Sequence, residues 1–399
     1  MKLEIRNEDS LVKIFKIISW IDNWRWKKEA NFISFYRDEN DFKNCEKILT
    51  HWICYITDRQ IPYENVWNKG GKVFSELVYD YSRDNTSPKE LLDKYYRKKG
   101  YDKKKSKPQF EFKSLTVSQN TFASRYIPED YENIKQTLEV LSQEYEKNIV
   151  KFISKIINSF RDEEDLLMRV ACALHLLTYQ LGKNKKANPE ETIKILNDPY
   201  EFNKKLKKFI NTSTENKKRL WCCVRDYKKG LYNEIFEDAI KDEYDKDSDE
   251  LINIWNKLPM HQIELPGDVW NNNPFLRNNL FANVLNIESI QKQWKMPKII
   301  RVLYNQLKDY EKVDDFYPEQ FDITFDFVPR MCNKKLCEVC FFGKNGVKSI
   351  CIPTADKYCP VALITCGYSI ECKDQVQKCY IKDDTGKGIC KGIEKLKNL

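Results

Sequence analysis

A chain of 399 residues can bury a core without covalent staples, so its 14 cysteines are not needed as a disulfide framework. Sixty-eight Lys and Arg against 60 Asp and Glu leave a net charge of +8, an excess that suits a polyanionic partner but does not identify one. No apolar run reaches the roughly 18 residues that a bilayer span needs, and the opening "MKLEIRNEDSLVKIFKII" mixes charges into the place of a signal-peptide block, so a soluble, monomeric, cytoplasmic protein is expected.

In chain order the elements read mainly as helix. Residues 1–40 are assigned to N-terminal helices that pack with the C-terminal lobe. "DFKNCEKILTHWICYITDRQ" (41–60) and "IPYENVWNKGGKVFSELVYDYS" (61–82) form a helix pair separated at Pro62. Residues 83–108 read as an exposed insertion, because charges, Gly100 and Pro108 displace the apolar periodicity. Within it "KYYRKKGYDKKKSKP" (94–108) carries eight basic residues, and "KKLKKFINTSTENKKR" (204–219) later carries seven. Such runs are usually solvated faces; interleaved aromatics raise the prospect of a phosphate-contacting surface.

Short alternating runs at 107–118 and 322–328 predict strands. "NIVKFISKIINSF" places Ile149, Ile153, Ile156, Ile157 and Phe160 on one stripe of a helix. "DEEDLLMRVACALHLLTYQLG" repeats that signature, with acids at its start and Gly182 as its stop. The fold class is therefore mainly α: a helical body over 41–262, a segment with further helices over 263–328, and a cysteine-rich module over 329–399.

Nine of the 14 cysteines lie after residue 330, spaced Cys332-x4-Cys337-x2-Cys340-x10-Cys351 and followed by Cys359, Cys366, Cys372, Cys379 and Cys390. A C-x2-C pair in a tight turn directs two thiolates at one ion, and more distant cysteines complete the site. No histidine follows His261, so the donors are all sulfur, which suits zinc or an iron–sulfur cluster. The later cysteines fit a second site, a disulfide or buried thiols equally well.

"RMCNKKLCEVCFFGKNGVKSICI" (330–352) resembles the cluster loop of the iron–sulfur DNA glycosylases of the helix-hairpin-helix superfamily, the endonuclease III and adenine-glycosylase branch. The resemblance implies a two-lobed helical body and a [4Fe–4S] cluster on Cys332, Cys337, Cys340 and Cys351, with Cys359 the alternative fourth ligand and zinc the alternative metal. Lys334, Lys335, Lys344 and Lys348, between or beside those cysteines, would face DNA phosphates. In the family an early helix ends in a glutamine-bearing turn that wedges into duplex DNA, and "ILTHWICYITDRQIPYENVWNKGGKVFSELV" (48–78) has that layout with Gln60, beside Arg59, at the turn.

The family's catalytic aspartate follows a short Leu-Pro segment, as Asp268 does in "IELPGDVWNNNPFLRNNLF" (263–281). A carboxylate there would stabilise the oxocarbenium-like sugar and orient the attacking water. Read from its residues alone, Asp268 is equally a helix cap.

The sequence departs from the family in its gaps of four and ten residues, and in "SDELINIWNKLPMHQ" (248–262), which has no glycine-rich hairpin. The implied activity is then a monofunctional base-excision glycosylase acting on double-stranded DNA with an extruded base, with no lysine nucleophile. A non-catalytic nucleic-acid-binding protein with a zinc-tied module, or a subunit of a larger assembly, accounts for the same charge and cysteines.

Overall fold

In the computed structural model the described residues are 41–58, 65–102, 107–123, 126–160, 166–178, 188–211, 220, 233–244, 381–382 and 388–389. Contacts along the backbone divide the chain into one unit spanning 29–259 and another made of 1–28 with 260–399. All the described helices belong to the first, and the described residues are mainly helical. No helix among them is long and apolar enough to cross a membrane.

Helix α1 (Asn44–Thr57) buries 11 of its 14 residues, so it has no solvent face over most of its length and runs through the middle of the unit. The Glu46 carboxylate stabilises its start: it accepts the Lys43 N–H (3.1 Å) and an Arg83 guanidinium hydrogen bond (2.9 Å). A π-helical turn, Asn65–Gly70, runs directly into α2 (Gly71–Arg83). On α2 the buried positions Val73, Phe74, Leu77, Val78 and Tyr81 recur at helical spacing and make one apolar stripe. Helices α1 and α2 pack on each other, as expected of a pair formed around Pro62; Pro62 itself lies outside the described residues.

The stretch read as an insertion contains ordered, packed structure. Ser87, Pro88 and Glu90 start α3 (Pro88–Tyr95) with a capping box and a proline in the first turn, and Leu91, Leu92 and Tyr95 are buried. Strands β1 (Tyr96–Asp102) and β2 (Lys107–Lys113) then form an antiparallel pair, extended by the short β3 (Thr121–Phe122) in the order β1-β2-β3. One face of this sheet is aromatic. Phe112 and Phe122 are buried against Phe74, with ring centroids 5.4 Å away in both cases, while Tyr96 stacks on Phe110 at 5.2 Å. Gly70 makes this fit possible, because a Cβ there would lie 3.3 Å from the Phe122 ring.

Helices α4 (Ile127–Glu144) and α5 (Ile149–Ser159) are joined by a turn in which Glu146 (φ 50°) and Lys147 (φ 64°) are left-handed. The turn is held by its own cation: the Lys147 ammonium donates to the carbonyls of Tyr81 (3.0 Å) and Asp84 (2.6 Å) at the end of α2. The α5 stripe is the expected one, with Ile149, Ile153, Ile156, Ile157 and Phe160 all buried.

Helices α6 (Leu166–Thr178), α7 (Pro189–Asn197) and α8 (Pro199–Asn211) complete one side, where Phe160 stacks on Phe202 of α8 at 4.4 Å. Gly182, the expected stop of α6, lies outside the described residues. Helix α9 (Asn233–Tyr244) returns to α1 and α5: Asn44 donates to Asp242 (3.2 Å) and Asn148, the N-cap of α5, to Glu243 (2.6 Å). In the other unit Ile381–Lys382 (β4) and Gly388–Ile389 (β5) pair antiparallel.

Candidate nucleic-acid interface

The aromatic face of the three-stranded sheet is turned to the core, and the period of two along a strand sends the intervening side chains to the other face. There Arg97 pairs directly across from Glu111, with its Nε at 2.8 Å and Nη2 at 2.6 Å from one carboxylate oxygen. The register shifts between Lys98 and Gly100, which makes Lys99 a bulge residue, and Lys99 Nζ reaches the second Glu111 oxygen at 3.6 Å. The carboxylate is 2% exposed while Arg97 and Lys99 are 48% and 53% exposed, so it is roofed by two cations that remain open to water. Lys113 is half-buried two residues along β2, on the same face as Glu111.

A rigid turn follows. Glu76 of α2 is 1% exposed, and its carboxylate accepts the Ser114 hydroxyl and the N–H groups of Leu115 (2.9 Å) and Thr116 (2.8 Å). Ser114 Oγ in turn accepts the Val117 N–H (2.9 Å), and Ser114 and Asn120 close the turn at 3.0 Å. This buried carboxylate orders a loop that presents Leu115, a large apolar side chain 48% exposed. On α8 the lysines of the second basic run, Lys204, Lys207 and Lys208, are exposed on the outer face of an amphipathic helix, and Lys204 is bonded to Glu201 at 3.0 Å. That is the usual arrangement of a solvated helix face.

The residues singled out from the sequence all lie outside the described residues: Gln60, Arg59, Asp268, Cys332, Cys337, Cys340, Cys351, Cys359, Lys334, Lys335, Lys344 and Lys348. The two helices that flank Gln60 in sequence, α1 and α2, are described and pack together. Among the described residues no group of three or more His, Cys, Asp or Glu could hold a metal ion.

The described cysteines of the helical unit are of another kind. Burial pushes the Cys45 thiol up to about 11 and the Cys172 thiol up to about 12, and Cys54, fully buried, rises well above its ordinary value. These are free thiols that pack as small apolar groups and are poor nucleophiles near neutral pH.

Among the described residues His51 has a shift with a consequence for stability near neutral pH. It is fully buried on α1 between the rings of Tyr55 (4.6 Å) and Trp67 (5.2 Å), and burial holds its pKa well below 6.5. Between that ordinary value and its depressed native one, the unfolded chain binds a proton that the fold does not. Stability therefore falls as pH is lowered through this window, by about 1.4 kcal/mol per pH unit from this group. Urea midpoints for His51→Phe, measured between about pH 7 and pH 5, are expected to show a flatter acid limb than the parent. Parallel limbs would assign the acid sensitivity elsewhere.

No protein-family model, curated protein or solved structure matches the chain.

Proposed function

We propose that the chain is a DNA base-excision glycosylase, monofunctional, that hydrolyses the N-glycosidic bond of a damaged or modified base in duplex DNA. The observation that carries the proposal is the order along the chain of the Gln60 turn, the Asp268 segment and the Cys332–Cys351 loop. The packing of α1 on α2, the helices on either side of Gln60, supports the same layout.

In this reading Gln60 fills the gap left by the extruded base, with Arg59 beside it, and the lysines of the cysteine loop hold backbone phosphates. The C–N bond to the base breaks, positive charge develops on the sugar, and the Asp268 carboxylate stabilises it. The C–N electron pair leaves with the base; water oriented by the same carboxylate adds to the sugar carbon, and the proton it loses passes through solvent to the departing base, leaving an abasic site and the free neutral base. Cys332, Cys337, Cys340 and Cys351 would hold a [4Fe–4S] cluster or zinc, whose task is to fix that loop and not to enter the reaction.

A second reading, a non-catalytic nucleic-acid-binding protein with a thiolate-held module, is favoured by the sheet face. Arg97 and Lys99 can meet phosphate without any reacting carboxylate.

The test is to incubate the purified full chain with duplexes each carrying one damaged, oxidised or hypermodified base, and to score abasic sites by alkaline strand cleavage. Release of one class of base is expected, with Asp268→Asn slower by about 10²–10³-fold. Absence of abasic sites on every duplex overturns the glycosylase reading, and binding without release selects the second one. Equal rates for Asp268→Asn and the parent remove Asp268 from the mechanism.

A further inference from the structure

We propose that the outer face of the three-stranded sheet is a docking surface for duplex DNA, with Arg97, Lys99 and Lys113 on backbone phosphates and Leu115 set against the adjoining groove. The proposal shares the DNA partner of the reading above but none of its chemistry.

Three observations converge on this face. Two of its cations are held in place: Glu111 is buried beneath Arg97 and Lys99 and engages Arg97 through Nε and Nη2, so that guanidinium has little rotamer freedom left to lose on binding. Among its described side chains cations outnumber carboxylates, with Arg97, Lys99 and Lys113 around Glu111, and an excess of that sign complements a polyphosphate.

The third observation is the turn at its end. Leu115 follows Lys113 by two residues, just past the end of β2, so the turn adjoins the strand that carries Lys113. The turn is held by a 1% exposed carboxylate through three hydrogen bonds, and what it holds out is a leucine 48% exposed. A loop ordered from below and apolar at its tip suits insertion against sugars and bases.

Charges and a bulge on an edge strand also block pairing with other chains, and β1 is an edge strand. That role explains neither Lys113, on the inner strand β2, nor the Glu76-held leucine.

The experiment measures binding of the full chain to an unmodified fluorescent duplex across a salt series. The parent is expected to show affinity that falls steeply with salt. In the triple variant Arg97→Gln, Lys99→Gln, Lys113→Gln the slope of log affinity against log salt should fall by about 2–3, close to one for each phosphate no longer neutralised. Leu115→Ser should weaken binding about tenfold at every salt concentration and leave the slope alone. The charge-matched control Lys204→Gln, Lys207→Gln, Lys208→Gln on α8 should keep the parent slope. Circular dichroism melts accompany each variant, and Lys99→Gln alone, a bulge residue at the rim, gives the slope change where the triple variant does not fold.

A sheet variant with the parent slope, or an α8 control that falls as far, overturns the docking surface. Base release with a slope indifferent to the sheet overturns the surface and leaves the glycosylase. A sheet-dependent slope without base release overturns the chemistry and leaves the surface. A chain that binds no duplex at any salt overturns the surface, and one that also releases no base from any modified duplex overturns both.

Discussion

Phe74→Ala is expected to lower the stability of the helical unit by about 3–5 kcal/mol, read as a shift of the urea or guanidinium midpoint at unchanged slope. Phe74 is fully buried and meets Phe112 and Phe122 edge to face, so it is the apolar anchor of α2 on the sheet. Truncation removes the burial of the ring and both aromatic pairings, and it leaves a void that Gly70, packed against Phe122 and Phe74, has no side chain to fill. Phe74→Leu keeps part of the volume and should cost less than half as much. If Phe74→Ala and the parent unfold at the same midpoint, the sheet is not fastened through this ring.

Glu76→Ala is expected to cost about 2–4 kcal/mol and to loosen the Ser114–Asn120 turn. Its carboxylate serves the Ser114 hydroxyl and two backbone N–H groups; removing it leaves donors without a partner beside a buried helix face. Glu76→Gln keeps one acceptor oxygen but turns an amide N–H₂ toward these donors, so it should fall between Ala and the parent. Hydrogen exchange supplies the local measurement: the amides of Leu115, Thr116 and Val117 should lose protection in Glu76→Ala before those of α2 do. Equal protection in parent and variant would mean that the turn is ordered by its internal bonds to Ser114 alone.

The helices legible in the sequence are those whose apolar residues repeat over several turns. The stripe of Ile149, Ile153, Ile156, Ile157 and Phe160 is buried as its spacing predicts. Helix α3 escapes that kind of reading because it is eight residues long and its apolar residues, Leu91, Leu92 and Tyr95, fill only one turn among charges. The available signal is the Ser87-Pro88-x-Glu90 capping pattern, which marks a helix start independently of periodicity.

The sheet is legible in β2 and hidden in β1, where lysines and arginine occupy the outward positions and a bulge breaks the alternation. The Glu76 turn has no local signature at all. Its partners lie 38–40 residues away, and a glutamate on an amphipathic helix gives no sign of turning inward to hold another segment's backbone. Asp268, Gln60 and the C-terminal cysteines, by contrast, stand out through local order and spacing, the only kind of information a sequence offers directly.

The return of α9 to the start of α1 bears on how the helical unit can be rearranged. Asn44 and Asp242 are 198 positions apart and share a hydrogen bond of 3.2 Å, so the first and last described helices of the unit lie side by side. Helices that meet in this way can be joined directly by a linker, and new ends can be opened at an exposed turn. The described helices are thus a natural subject for circular permutation, with the break placed in the Ser114–Asn120 turn or left outside it according to whether the turn held by Glu76 is to be opened or kept.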